Sequence, residues 1–322
     1  MEIIDSITAY LTRSGRLPGP FSVAFLAAGE YNANYLVEDQ RGRRFVLRLN
    51  HGSQLGLADQ IGYEYTVLKA VEPSGVTPRA HWFDPAPEGL PGGVLLMDHL
   101  PGRPLDYRTD LSRAARIFAR IHALAPAQGL IRQADPVAAI AGESCALLTR
   151  FPDHPMPELR DRLLAYREAV LDLGRRHGTD FAAEPPVMAN TEVNSGNFIL
   201  GDGGDFLVDW EKAVVSARYQ DLGHFLVPTT TLWKTDVTLS PSEKRSFLAA
   251  YREELTALGA DAPDLERLTT LTGVLERTIV LRALAWCHMA YYEYTRTARA
   301  IANPATLATI RRFLENAPCF VG

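Results

Sequence analysis

Cysteine is scarce in this chain. Cys145, Cys287 and Cys319 lie far apart and are odd in number. They suggest neither a disulfide framework nor a zinc site and fit a reducing compartment. The eight histidines include no His-Glu-x-x-His pattern. No stretch approaches the roughly 18 apolar residues of a membrane span, so no membrane partner is expected. The start, Met1-Glu2-Ile3-Ile4-Asp5, is acidic early and lacks the basic start and apolar core of a signal peptide. A cytoplasmic location is therefore the expectation. Long basic runs are also missing: Arg43-Arg44 and Arg311-Arg312 are isolated pairs, read as solvated faces, and the formal net charge is −5. Such a chain is a poor general nucleic-acid binder. There is no internal repeat and no low-complexity tract.

What is present is a globular composition: 322 residues, 47% hydrophobic and 22% charged. That is enough for one large domain or two lobes with a sizeable core. Residues 2–13 read as a short amphipathic helix ending near Ser14-Gly15. From Phe21 to Leu100 the pattern is strand-like. Runs at 21–26, 35–38 and 45–49 are joined by turns and predict an antiparallel meander. Residues 58–72 follow as a helix, with Ile61, Tyr65, Leu68 and Val71 at helical spacing. Val76 to Phe83 and Gly93 to Leu100 read as two further strands. Pro101-Gly102-Arg103-Pro104 is a strong break and is taken as a boundary between residues 1–100 and 101–322. Beyond it, 111–125, 157–177, 242–259 and 264–301 read as helices, the first with Asp110 or Ser112 as N-cap. Pro126 to Pro157 is the least regular segment, with weak helical stretches.

The stretch with most chemical content runs from Asn190 to Glu211. Asn190-Thr191-Glu192-Val193-Asn194-Ser195-Gly196-Asn197 reads as a loop. Phe198-Ile199-Leu200 and Phe206-Leu207-Val208 flank a glycine turn, and Asp209-Trp210-Glu211 follows. Two apolar runs around a glycine cluster predict a β-hairpin. Asn197 and Asp209 each lie six residues from Gly203, so symmetric pairing would bring their side chains to the same open end. An amide oxygen beside a carboxylate suits a hard divalent cation such as Mg²⁺. Glu192, on the preceding loop, can accept a proton from a substrate hydroxyl. A base, an amide and a metal-binding acid in that order are the working parts of a kinase centre.

That order resembles the aminoglycoside phosphotransferase and choline kinase-like branch of the protein-kinase-like fold. The family pattern is His/Tyr-x-Asp-x-x-x-x-Asn, then a hairpin and a metal-binding Asp, here followed by Trp210-Glu211. Two positions depart from it: Asn190 stands where the family has His, and Glu192 where it has Asp. The resemblance implies an α+β, two-lobed fold. A small antiparallel sheet with one helix forms the nucleotide-binding lobe, and a larger, mainly helical lobe carries the catalytic hairpin and binds substrate. It also implies ATP and Mg²⁺, the latter on Asn197 and Asp209. Arg48 falls where kinases keep a phosphate-contacting Lys, and Glu64 matches the acid that pairs with it. Gly29-Glu30-Tyr31-Asn32 matches the phosphate-covering loop, so Gly29 and Asn32 are candidate nucleotide contacts. Met97-Asp98-His99-Leu100 matches the hinge that receives adenine, which adds Asp98 and His99. Asp221 corresponds to an acid bracing the catalytic loop. His122 also matches a family feature but, among apolar helix neighbours, reads as a satisfied core histidine. The aromatic run 286–294 reads as core, with a cation-holding pocket as the alternative.

Three readings are open at this point. The first is a phosphotransferase acting on a hydroxyl of a small molecule such as an aminoglycoside, amino alcohol or sugar. The second is a nucleotide-binding pseudokinase with a regulatory or scaffold role, motivated by Asn190 and Glu192. The third is a helical interaction protein that uses neither nucleotide nor metal, against which the Asn197–Asp209 spacing argues.

Overall fold

The computed structural model describes residues 2–297 and 304–321. In chain order the first elements are α1 (Glu2–Ser14), β1 (Phe21–Ala28), β2 (Asn32–Asp39), β3 (Arg44–Asn50), α2 (Gln60–Val71), β4 (Ala80–Asp84) and β5 (Val94–Asp98). Next come α3 (Leu111–His122), α4 (Pro136–Thr149), α5 (Pro157–Arg176), α6 (Gly178–Ala182), β6 (Val187–Ala189), β7 (Phe198–Gly201), β8 (Gly204–Leu207) and β9 (Val214–Ser216). The last are α7 (Tyr219–Leu226), α8 (Pro228–Lys234), α9 (Pro241–Ala257), α10 (Leu265–Arg296), α11 (Pro304–Glu315) and α12 (Ala317–Val321). The chain divides into two compact units. Unit 1 is Met1–Leu105, Pro126–Leu130 and Asn197–Ala213; unit 2 is Asp106–Ala125, Ile131–Gly196 and Val214–Gly322.

Unit 1 is built on a five-stranded sheet in the order β1-β2-β3-β5-β4, with every neighbouring pair antiparallel. Side chains alternate across a strand, and here one face meets α1. Ile7, Tyr10 and Leu11 of that helix join Tyr35, Val37, Leu47, Leu49, Val94 and Leu96 in a single core cluster. α2 starts at Asp59, whose side chain accepts from the Gly62 N–H, and it buries Ile61, Val67, Leu68 and Val71. The fourth strand is shorter than its sequence suggests. It begins at Ala80 rather than Val76, because Pro78 has no N–H to give to a ladder and the Val76 carbonyl accepts from Leu207.

The predicted hairpin forms as β7 and β8, and by its contacts it groups with unit 1. Its register differs from the expected one. Gly201 pairs with Gly204, so the turn is the two-residue Asp202-Gly203 and its centre lies between those residues. Asn197 therefore stands opposite Val208, whose N–H it accepts at 2.8 Å, and Asp209 lies one step beyond. A one-residue shift of this kind changes which side chains share a face.

Unit 2 is helical. α10, 32 residues long, packs against α4, α5, α7 and α11. The end of its expected span, residues 298–301, lies outside the described residues. α3 packs on α9. Asp110, one of the two expected caps, occupies its N-cap position with no side-chain cap hydrogen bond and instead accepts the Asp106 N–H at 2.9 Å. The segment read as least regular, 126–157, with weak helical stretches, contains a full helix, α4. Asp135 caps it by accepting from Ala138, Pro136 occupies its first turn, and Val137, Ile140, Ala141 and Leu148 are buried. Its stripe of small residues hid the periodicity. A short antiparallel pair, β6 with β9, leads into the loop that carries Asn190.

Candidate active site

Within unit 1 the predicted cation and its acid meet. Arg48 comes from mid-β3 and Glu64 from α2; both are buried. Arg48 Nη1 lies 2.5 Å from Glu64 Oε1 and 3.1 Å from Asp209 Oδ1. Its Nε donates to Asn34 Oδ1 at 3.1 Å. Burial opposes the guanidinium charge, but Glu64, Asp209 and Glu211 outweigh it and hold Arg48 protonated. Burial pushes the Glu64 carboxyl upward against the pull of Arg48. Asp209 has φ 66°, a left-handed backbone that is uncommon outside glycine. Trp210, next in sequence, is fully buried and donates from Nε1 to the Leu207 carbonyl at 3.0 Å.

Glu211 extends the cluster toward the β1–β2 loop. The Asn32 side chain donates to its carboxylate, and Asn32 Oδ1 accepts from Asn50 Nδ2 at 2.8 Å. Gln60 Nε2 holds the Glu211 carbonyl at 2.8 Å and Tyr63 holds that of Ala213 at 2.6 Å, so α2 grips the segment after the acid. Burial first, then the Asp209 charge, pushes the Glu211 carboxyl up to about 7. Two carboxylates, Glu64 and Asp209, thus contact one guanidinium, and the charge of a third, Glu211, acts on it from further away. That excess of negative charge, on oxygen donors, is what a hard divalent cation would balance. Asp209, with Asn197 at the foot of the hairpin, has the donor chemistry to hold one. Among the described residues no group of three or more His, Cys, Asp or Glu side chains is placed to hold a metal by itself.

The other nucleotide candidates divide. The Gly29 N–H donates to the Asn32 carbonyl at 2.8 Å, so that donor closes the turn. Asp98 and His99 end β5, and their N–H groups donate to the carbonyls of Arg79 and Arg44. Asp98 also meets His81 Nε2 at 2.6 Å. The backbone donors of these two residues are thus engaged within the protein.

Within unit 2, the loop after β6 is braced from several sides. Asp221 on α7 accepts from the N–H groups of Asn190 and Thr191, each at 2.8 Å. This is the bracing role expected of it. His122 on α3 is buried and meets Tyr251 Oη at 2.9 Å and Asp221 at 3.4 Å, as a satisfied core histidine. Asn190 Oδ1 accepts the Glu192 N–H at 2.9 Å. Thr191 has φ 68°. Left-handed non-glycine residues are a form of stored strain that collects at functional sites. Among the described residues Thr191 and Asp209 are the two that show it.

Several participants carry no motif. Asn34, Asn50 and Gln60 are reached only through pairing of β2 with β3 and the placing of α2. Arg282 on α10 and His224 on α7, which meet beside Thr191, lie 58 residues apart in sequence. The 286–294 run is divided. Cys287, His288 and Met289 are buried, while Trp286 pairs with Trp233 and Tyr292 stacks on Phe151 with 4.2 Å between ring centroids.

Comparison with known proteins follows the same line. The chain matches no curated protein sequence. Many solved structures do share its fold. Plasmodium vivax ethanolamine kinase aligns with a TM-score of 0.69 at 15% identity, over 98% of this chain and 88% of that one. The choline kinase from Streptococcus pneumoniae aligns with 0.65 at 15%, over 98% and 99%. An amicoumacin kinase, solved with AMP-PNP and Ca²⁺, aligns with 0.65 at 16%, over 97% and 95%. These likenesses identify the protein-kinase-like phosphotransferase fold. A family model described as the phosphotransferase enzyme family matches residues 22–288. That span runs from the first strand of the sheet to the aromatic run of α10, and the chain therefore belongs to the phosphotransferase enzyme family.

Proposed function

We propose that this protein is an ATP- and Mg²⁺-dependent phosphotransferase acting on a hydroxyl of a small molecule such as an aminoglycoside, amino alcohol or sugar. The observation that carries the reading is the buried Arg48–Glu64 pair with Asp209 on the same guanidinium. Glu64 fixes the direction of Arg48, and a planar guanidinium suits phosphate oxygens. Asp209 and Asn197 are the residues that would hold Mg²⁺, which in such a site neutralises charge on the phosphates. Glu192 lies five residues before Asn197 along the chain. In this reading its carboxylate orients the acceptor hydroxyl and takes its proton as the phosphate ester forms and ADP leaves. Asn190 takes over the loop bracing of the family histidine through its bond to the Glu192 N–H. Amino-alcohol acceptors are suggested by fold relatives that are ethanolamine and choline kinases.

The test is a thermal-shift titration with ATP and GTP, with and without Mg²⁺, on wild type and Asp209→Ala. Nucleotide at about 100 times Kd adds about 2.7 kcal/mol of stability. A Mg²⁺-dependent shift that disappears in Asp209→Ala is expected. No shift with either nucleotide would sink the reading.

The Asn190 and Glu192 exchanges favour one second reading, a nucleotide-binding pseudokinase. Glu192→Asp separates the two. A change in phosphoryl transfer or basal ATP hydrolysis in either direction places Glu192 in the chemistry. An inactive protein that binds nucleotide, unaltered by the exchange, supports the pseudokinase.

A further inference from the structure

The Thr191–Glu192 peptide is gripped at both of its polar atoms. Its N–H donates to Asn190 Oδ1 at 2.9 Å. Its carbonyl, that of Thr191, accepts from Arg282 Nη2 at 3.2 Å. The same Nη2 lies 3.0 Å from His224 Nδ1. A guanidinium only donates, so His224 Nδ1 is the acceptor and carries no proton. Arg282 thereby ties α10 to α7, the helix whose Asp221 holds the two preceding N–H groups. Thr191 sits at φ 68°, a conformation that costs about 1–3 kcal/mol and persists only where its surroundings over-determine it. Asp221, Asn190 and Arg282 are those surroundings, and all belong to unit 2.

We infer that Arg282 is a positioning residue: it holds the plane of the Thr191–Glu192 peptide and, through it, the direction in which the Glu192 carboxylate leaves the backbone. The inference rests on the reading of Glu192 as the catalytic base. Glutamate has one more rotatable bond than aspartate, so a fixed backbone matters more for aiming its carboxylate. A carbonyl is a weak anchor for a neutral donor, whereas a charged, forked donor bonds it more strongly and reaches two acceptors at once.

The experiment compares Arg282→Met and Arg282→Lys with wild type. The readouts are amide hydrogen exchange of the segment 190–194, kcat for phosphoryl transfer or basal ATP hydrolysis, and the Mg²⁺–nucleotide thermal shift. Arg282→Met should raise exchange at Thr191 and Glu192 about tenfold or more, as local opening becomes easier. It should lower kcat about 10- to 100-fold, the scale of a displacement near 1 Å, and leave the nucleotide shift unchanged. Arg282→Lys retains the charge and one donor and should fall between the two. If Arg282→Met does not fold, the intermediate exchange of Arg282→Lys is the deciding measurement. Unchanged exchange in a folded variant overturns the inference, and so does faster exchange with an unchanged kcat. A wild type with no turnover and no nucleotide response sinks the functional reading instead, while the exchange result still decides whether Arg282 holds the peptide.

Discussion

A buried guanidinium in the middle of a strand is tolerable only with partners, since an isolated charge in such a place is costly. Arg48 has Glu64 at 2.5 Å and Asp209 at 3.1 Å. Removing one member of a buried pair leaves the other charged and unpaired, which costs about 3–5 kcal/mol. Arg48→Met should therefore lower stability by about that amount in urea unfolding. Adding Glu64→Leu to Arg48→Met should recover part of the loss, because the buried Glu64 charge goes with its partner, while Asp209 and Glu211 remain without the cation. Both proteins should lose the Mg²⁺-dependent nucleotide response. A loss below about 1 kcal/mol in the single variant would mean that the pair is not the structural anchor of this cluster. Residue identity alone required only that an Arg in an apolar strand find a partner or solvent; Glu64 was singled out as that partner by the family resemblance.

At the scale of elements, the loop that carries Glu192 is held by α7 and α10 together, and their spacing is set by one glycine. A Cβ on Gly223 would stand 2.8 Å from Leu275 Cβ and 2.9 Å from the Glu276 backbone nitrogen. Neither atom belongs to a flexible side-chain end, so the helices themselves would have to part. Gly223→Ala should cost about 1–3 kcal/mol, the usual range for overpacking, and should also speed amide exchange at Thr191 and Glu192. Asp221 and Arg282 would separate as α7 and α10 do. Full stability in Gly223→Ala, measured by thermal unfolding, would show that the close crossing has slack. The hairpin shows a related sensitivity. Its two-residue turn sets a register in which Asn197 and Asp209 are one step out of opposition, and the left-handed Asp209 supplies a local reversal that pairing alone does not.

For the molecule as a whole, acid sensitivity follows from buried histidines in the helical unit. Burial first, then His154, lowers His288 from an ordinary 6.5 to about 4. His154 and His122 are lowered as well, chiefly by burial. These groups are neutral in the folded chain, whereas the unfolded chain takes up protons below about 6.5. Unfolding thus binds protons, and stability rises with pH. The contribution is present above pH 6.5 and is lost as pH falls toward about 4. Urea midpoints measured between pH 7 and 4.5 should fall steeply in wild type and less steeply in His288→Gln. Equal slopes would show that His288 is not a source of the dependence.

The local sequence determined those features that depend on local rules. Strand alternation marked the sheet, helical spacing marked α2, α5 and α9, and the 190–211 segment carried its chemistry in the order of its residues. The family was legible for the same reason: a base position, an amide and an acid at fixed offsets lie within one continuous stretch. Tertiary structure decided the rest. α4 was obscured because small residues blur helical periodicity, and its caps signify little until its apolar face is covered. The hairpin register depended on a choice between turn centres one residue apart, which composition does not distinguish. Glu211 with Asn32, and Arg282 with Thr191, are separated by 179 and 91 residues. Contacts at such range come from packing of a whole core, and no local pattern encodes them.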